Sequence, residues 1–374
     1  MGSPDTLGLL LQGLTHVTPQ SVVMIVVACA LLYLGIAKDY EPLLLLPIGA
    51  GCLLANLPLS PLIAEDGMLR VLYDMGIRNE LFPLLIFIGI GALTDFGPLL
   101  ENPRLVLLGA AGQFGIFLTL LLALLLGFTR PEAASIGIIG AIDGPTSIYV
   151  SGLLAPHLLG PITVAAYSYM SLVPIILPPI MKLLTTREER RIRMPYSQRV
   201  ISRRTRILFP IVVTVLVGTL VPFATPLIGM LMLGNLMKES GAVERLTKAS
   251  AQEIANAVTL FLGLAIGSTM VGADFLKPST LAILVLGIVA FAVDGIAGVM
   301  FAKLLNKLSG GKVNPLIGAA GISAFPMAAR VVQRTAQEED FENFLLMHAM
   351  GANAAGQIAS VVAGGVLLAL MGAG

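Results

Sequence analysis

Ten apolar stretches run almost end to end through this chain of 374 residues, at about 21–37, 42–57, 81–97, 104–129, 161–182, 207–223, 225–237, 250–272, 279–303 and 341–372. Most are long enough, or nearly so, to cross about 30 Å of hydrocarbon. With 56% hydrophobic and 12% charged residues and a mean hydropathy of +0.90, the chain has too few polar side chains to cover a water-facing surface. An ordinary water-soluble enzyme is excluded, and an all-α polytopic membrane protein is predicted. The 40 glycines suit close helix packing in lipid. A net charge of +1 gives no field for a polyanion, so no nucleic acid partner is expected. Trp is absent and Tyr numbers 7, which leaves thin aromatic belts. Cys29 and Cys52 lie in apolar runs and read as small packing residues. Met1–Thr6 fits the loose myristoylation pattern, but with Pro4 inside it the match reads as chance. No basic segment precedes the first apolar run, so no cleaved signal peptide is expected.

Two further segments, 131–155 and 314–335, are too interrupted by glycine and proline for clean spanning helices. Between the halves lies one hydrophilic stretch, 185–206, with eight arginines. The halves echo each other across it. Pro47-Ile48-Gly49 with Asn56 matches Pro226-Leu227-Ile228-Gly229 with Asn235, and Phe87-Ile88-Gly89 with Asp95 matches Phe261-Leu262-Gly263 with Asp274. Gly137-x-x-Gly140-x-x-x-x-Pro145 matches Gly318-x-x-Gly321-x-x-x-x-Pro326 at an offset of 181. Three echoes in one order indicate an internal duplication. The expected domains are a first membrane repeat at 1–184 with hairpin 131–155, a cytoplasmic linker at 185–206, and a second repeat at 207–374 with hairpin 314–335.

If the broken segments are re-entrant hairpins, each half crosses about five times, and the odd number inverts the repeats. A cytoplasmic linker then puts 19 of the 23 basic residues inside, in line with the positive-inside rule. Both termini fall outside. Counting the hairpins as full spans gives twelve crossings and parallel repeats, and leaves a terminus without basic charge inside.

Inverted repeats with discontinuous helices gather ion and substrate sites near the bilayer midplane, where freed backbone groups line a polar cavity. Asp143, in Gly140-Ala-Ile-Asp-Gly-Pro-Thr-Ser147, is the sharpest such feature, because a carboxylate at that depth needs a partner. Gly144-Pro145 beside it frees carbonyls, and the mixture suits Na⁺; Asp143 as a plain helix cap is compatible. On the second hairpin, Asn314 reads as a cap and Ser323 alone as a hydroxyl bonded back to a carbonyl. Arg330 either meets an anionic partner or snorkels toward the cytoplasm. Asp294 is a second candidate carboxylate or a helix–helix contact, and Gln113 reads as packing glue. Of Tyr167 and Tyr169, one hydroxyl can reach the Asp143 cavity. Asn353 lies on a Gly- and Ala-rich helix beside His348, which reads as a satisfied buried histidine. His16 and His157 belong near the outer surface, and three scattered histidines give no metal spacing. Neither a phosphate-binding loop nor a nucleophile elbow occurs, so energy must come from an ion gradient or from a substrate made elsewhere.

Gly-Ala-Ile-Asp143-Gly-Pro-Thr, Ala-Ala-Tyr-Ser-Tyr169-Met, the run from Asn314 through Ser323 to Arg330-Val-Val-Gln, and Asn-Phe-Leu-Leu-Met-His-Ala-Met-Gly-Ala-Asn353 together resemble the β subunit of the biotin-dependent sodium-pumping decarboxylases. Oxaloacetate, methylmalonyl-CoA, glutaconyl-CoA and malonate are the substrates in that family. The resemblance implies that a carboxyltransferase α subunit loads biotin and a biotin carrier protein or domain delivers carboxybiotin. Decarboxylation here then drives Na⁺ outward through the cytoplasmic (inner) membrane and consumes a proton. No Ala-Met-Lys-Met attachment motif occurs, which agrees with biotin arriving on another chain. On the family pattern, Asp143, Ser323 and Tyr169 are the Na⁺ residues, Asp143 also serving the chemistry. Asn314, Gly318 and Asn353 are the other implicated positions, and Arg330 holds the carboxybiotin carboxylate. A small membrane γ or δ subunit and a homo-oligomer of this chain are further implied partners. Without the motifs, the same architecture suits a sodium- or proton-coupled carrier of small organic anions; a purely structural anchor is disfavoured by polar residues on both hairpins.

Overall fold

The computed structural model describes residues 12–38, 41–195 and 201–372. The Met1–Thr6 pattern and linker residues 196–200 lie outside the described residues, as does the Asp274 side chain. Among the described residues the fold is helical, without a strand. Its main helices are α1 (Pro19–Ala37), α2 (Pro42–Ala55), α3 (Met68–Gly76), α4 (Leu81–Leu93), α5 (Val106–Ala111), α6 (Phe114–Leu125), α7 (Arg130–Gly137) and α8 (Gly144–Leu154). There follow α9 (Leu159–Ser171), α10 (Val173–Leu184), α11 (Arg203–Leu220), α12 (Thr225–Ser240), α13 (Ala255–Thr269), α14 (Pro278–Leu308), α15 (Met327–Glu339) and α16 (Leu346–Met371).

Five helical stretches are long and apolar enough to cross a membrane: Pro19–Ala37, Pro103–Leu125, Glu244–Thr269, Pro278–Leu308 and Leu346–Met371. Two bent pairs raise the number to seven, Pro61–Gly76 with Leu81–Leu93 at 58° and Pro156–Ser171 with Val173–Leu184 at 64°. The apolar run 161–182 is therefore not one straight helix. Pro174 follows the bend at Leu172, and a proline cannot supply the amide that would continue the preceding turn. The run 104–129 also breaks, at Gly112–Gln113, between α5 and α6.

Helix pairing follows the glycines. α2 packs on α13, and α4 on α12. A methyl group at Gly51 would meet the Leu264 carbonyl at 2.3 Å, and one at Gly234 would meet the Ile88 carbonyl at 2.0 Å. Only hydrogen fits at such crossings. The two echoed asparagines fasten the same pairs. Asn56 donates from Nδ2 to the Met270 carbonyl at 2.7 Å, and Asn235 donates to the Thr94 carbonyl at 3.3 Å.

Part of the linker is an ordered strap. Thr186 and Glu189 form a capping box that starts a short helix, Arg187–Arg190. Arg190 meets Glu339 at 2.5 Å, Arg187 meets it at 3.0 Å, and Arg193 meets Asp340 at 2.7 Å. Hydrogen bonding from Arg190 holds the Glu339 carboxyl below the usual carboxylate range. The strap thus rests on the end of α15. The arginines from 203 on belong to α11, whose cap is the Ser202 hydroxyl, accepting from the Thr205 amide at 3.2 Å.

Two glycines five residues apart on α12 test the packing. Gly229 has nothing within 4 Å of an added methyl, whereas Gly234 lies against α4 backbone. Gly229→Ala is expected to be neutral or to stabilise by up to about 1 kcal/mol through reduced chain entropy. Gly234→Ala is expected to destabilise by about 2 kcal/mol or more, because backbone cannot move aside as a side chain can. Thermal unfolding in detergent reads both, and equal midpoints for the two variants would contradict the α4–α12 crossing.

Candidate functional site

The first broken segment folds as helix α7, a 3₁₀ turn over Ile138–Ala141, a break at Ile142-Asp143, and helix α8. Ile142 sits at φ +53°, a left-handed conformation that a β-branched residue adopts only when its surroundings impose it. The second is a 3₁₀ helix over Pro315–Gly321, an extended stretch around Ile322, and helix α15. These are hairpin 1 and hairpin 2.

Their breaks touch. The Ser323 amide donates to the Ala141 carbonyl at 3.3 Å, joining backbone to backbone across the two halves of the sequence. Asp143, 4% exposed, caps α8. It accepts from the Thr146 amide at 3.4 Å and the Thr146 hydroxyl at 2.7 Å. Its Oδ2 also accepts from the Ser360 hydroxyl of α16 at 3.0 Å. Hairpin 2 is held by the same stretch of that helix. The Ser323 hydroxyl donates to the Gly356 carbonyl at 2.9 Å, Asn353 Nδ2 donates to the Ile322 carbonyl at 2.6 Å, and Gln357 Nε2 donates to the Ser323 carbonyl. Asp143 and Ser323 thus face a shared bracket of Asn353, Gln357 and Ser360, polar residues at 3–4 spacing on one face of a Gly- and Ala-rich helix.

This bracket holds more acceptors than donors. Asn353 Oδ1 and Gln357 Oε1 are buried and have no hydrogen-bond partner among the described residues, beside a carboxylate and several carbonyls. Buried acceptors without donors call for a water or a cation. A hard monovalent ion is the chemistry such oxygens suit, whereas no group of three His, Cys, Asp or Glu side chains suited to a transition metal occurs among the described residues.

The remaining candidates are placed as follows. The Tyr169 hydroxyl donates to the Leu284 carbonyl of α14. Tyr167 is the tyrosine beside the Asp143 break: a methyl at Gly144 would overlap its ring at 2.0 Å. Gly318 lies against Gly298 of α14, where an added methyl would meet a carbonyl oxygen at 2.0 Å. Asn314 sits at the strap end of hairpin 2. It donates to the Arg190 and Ile192 carbonyls at 2.9 and 2.8 Å, as Asn343 does at 3.0 and 3.2 Å. Arg330 is exposed on the first turns of α15 and makes no ion pair with a described residue. His348 is half-buried and approaches the Met194 carbonyl. Sequence reasoning missed Ser360, Gln357 and Thr146, although the 353/357/360 spacing was visible.

The profile of the family described as the Na⁺-transporting oxaloacetate decarboxylase beta subunit matches residues 20–371. Glutaconyl-CoA decarboxylase subunit beta of Acidaminococcus fermentans is 53% identical over 360 residues, covering 96% of each chain. Methylmalonyl-CoA decarboxylase subunit beta of Propionigenium modestum is 54% identical, covering 94% of this chain and 95% of its own. Oxaloacetate decarboxylase beta chain 2 of Salmonella typhimurium is 49% identical, covering 97% and 98%. With the hairpin motifs, the meeting of their breaks and matches along nearly its whole length, the chain belongs to the family of Na⁺-transporting decarboxylase beta subunits.

Proposed function

We propose that this chain is the membrane subunit that decarboxylates carboxybiotin and couples the reaction to outward Na⁺ transport, with Na⁺ held between the two hairpin breaks. Family membership carries the reaction class. The observation that supports the location is the bracket of buried acceptors, where Asp143, Ser323, Asn353 and Gln357 converge from two hairpins and α16. Na⁺ is the cargo and carboxybiotin the substrate, delivered by a biotin carrier that a carboxyltransferase loads. A small γ or δ subunit and further copies of this chain belong to the same proposed assembly in the inner membrane.

Each residue has a task that its surroundings favour. Arg330, exposed and unpaired among the described residues, suits a carboxylate arriving from water. Carboxybiotin supplies the N–CO₂ bond, and its loss leaves charge on nitrogen that a nearby cation or proton donor stabilises. Asp143 neutralises one positive charge, so Na⁺ and a proton compete for it, and proton entry weakens the hold on Na⁺. Tyr169 fixes α9 to α14. Gly318 allows hairpin 2 to seat on α14, and Asn314 ties that hairpin to the strap.

We further infer that the two halves are inverted repeats of about five crossings, divided at the linker. Exchanging the halves maps α1 on α11, α2 on α12, α4 on α13, α5–α6 on α14, hairpin 1 on hairpin 2, and α9–α10 on α16. Under that exchange the α2–α13 contact becomes α12–α4, the α8–α9 contact becomes α15–α16, and the α8–α16 contact becomes α15–α10; all six occur. The Asn56 and Asn235 clasps exchange likewise. The linker end is then cytoplasmic, and the opposite end, with a cavity of about 390 Å³ near Arg70, Tyr73 and His157, is external. A carrier of organic anions without catalysis shares this architecture, but the family match favours decarboxylation.

Purified protein given carboxybiotin is expected to release CO₂ in a Na⁺-dependent manner, and Asp143→Asn to abolish that dependence; normal Na⁺-coupled turnover in the variant would sink the site. Ser360→Ala is expected to raise half-saturating Na⁺ by about three- to tenfold, the effect of losing one buried hydrogen bond. For topology, cysteines placed at Arg78 and at Lys312 in a Cys29→Ser, Cys52→Ser background should differ. An impermeant maleimide on intact cells should label the first and not the second, and the reverse pattern would refute the inverted arrangement.

A further inference from the structure

Asp143 and Asp294 are the only acidic or basic side chains buried among the described residues, and the sodium site uses only the first. Asp294, on α14, is 0% exposed. Its Oδ1 accepts from the Gly115 amide in the first turn of α6, where that helix starts afresh after the Gly112–Gln113 break. Its Oδ2 receives no hydrogen bond from a described residue. That oxygen faces hairpin 1: a methyl added at Gly140 would sit 2.8 Å from it. Gly140 immediately precedes Ala141, whose carbonyl takes the Ser323 amide, and lies three positions before Asp143.

The duplication offers a counterpart. Gln113 lies 181 positions before Asp294, and Gly140 lies 181 positions before Gly321, the offset that relates the two hairpins. Gln113 grips hairpin 2 by donating Nε2 to the Gly321 carbonyl at 3.3 Å while also donating to the Gly109 carbonyl at 3.2 Å. With partners exchanged, Asp294 occupies the matching place against hairpin 1. An amide nitrogen has hydrogens to give, whereas an ionised carboxylate has none. To hold Gly140 as Gln113 holds Gly321, Oδ2 must carry a proton. Among the described residues no cation supplies an alternative: the Gly115 amide is the only polar partner of Asp294 there, and no titratable side chain of α6, hairpin 1, α9 or α10 acts on it. Gly295 beside it packs on Leu177 and Ile180 of α10. An enclosed carboxyl group without a counter-charge is kept neutral by a proton.

We propose that Asp294 is a positioning residue held as a neutral carboxylic acid, its Oδ2–H clamping the hairpin 1 backbone as the Gln113 amide clamps hairpin 2. Its consequence for transport rests on the sodium-site reading, because hairpin 1 carries Asp143. Its protonation does not, and an infrared measurement separates the two. The difference spectrum between wild type and Asp294→Asn, in detergent at neutral pH, should show the C=O stretch of a protonated carboxylic acid in wild type, shifting in D₂O. A difference spectrum with only carboxylate bands would overturn the proposal. In the decarboxylation assay, Asp294→Asn keeps a donor and should leave half-saturating Na⁺ within about twofold of wild type. Asp294→Leu removes the donor and should raise it by about tenfold or more. Equal defects in both variants, or none in either, would also overturn it. Should Asp294→Leu fail to fold, the infrared spectrum and the Asn variant still decide. A wild-type protein without Na⁺-dependent turnover would refute the sodium-site reading and leave the infrared result standing.

Discussion

A helix broken inside a membrane frees amides and carbonyls that have no water to turn to, and the rest of this fold depends on how the chain satisfies them. At each break the partner comes from a distant segment. The Ser323 amide uses the Ala141 carbonyl, the Ile322 carbonyl uses Asn353, the Gly321 carbonyl uses Gln113, and the Gly115 amide uses Asp294. Each hairpin is therefore held by the other, by α16 and by the break between α5 and α6. The glycines follow from the same demand. Gly112 and Gly356 both approach the Gly321 carbonyl so closely that an added methyl would lie 2.5 Å from it, and no larger residue leaves the hairpin room to seat.

Much of this was legible from the residues alone, because apolar length and Gly-Pro interruption are local signals. The apolar runs at 21–37, 279–303 and 341–372 correspond to helices α1, α14 and α16, long enough to cross a membrane, whereas 42–57 holds the shorter α2, and both hairpins break where Asp143 and Ser323 stand. What was not legible is long-range. Nothing near Ser360 says that it reaches Asp143 from 217 positions away, and nothing near Tyr167 says that it, instead of Tyr169, borders Gly144. Gln113 read as packing glue and is glue, but its target, a carbonyl freed by the opposite hairpin, needed the fold. The bend at Leu172 was hidden because Pro174 lies early enough in α10 to be tolerated there. Asn314 and Gly318, grouped with the site by resemblance, lie along the stem of hairpin 2, against the strap and α14.

The placement of Arg330 makes the coupling between chemistry and ion a mechanical question. It lies seven residues after Ser323, on the helix that continues hairpin 2. On the proposed reading, a carboxylate at Arg330 would bear on α15, which is anchored at its far end by Glu339 and Asp340 to the strap arginines. With that end fixed, a displacement of α15 on that reading would be relayed toward Ser323, which bonds to the Ala141 carbonyl and the α16 bracket. A coupling route needs an element with two arrangements that both ligands bias. Hairpin 2 carries both the exposed Arg330 and Ser323, which meets the Ala141 carbonyl and the α16 bracket. Its opposite number carries Asp143, so a change in hairpin 2 alters the oxygens around Asp143 without any contact between Arg330 and that carboxylate.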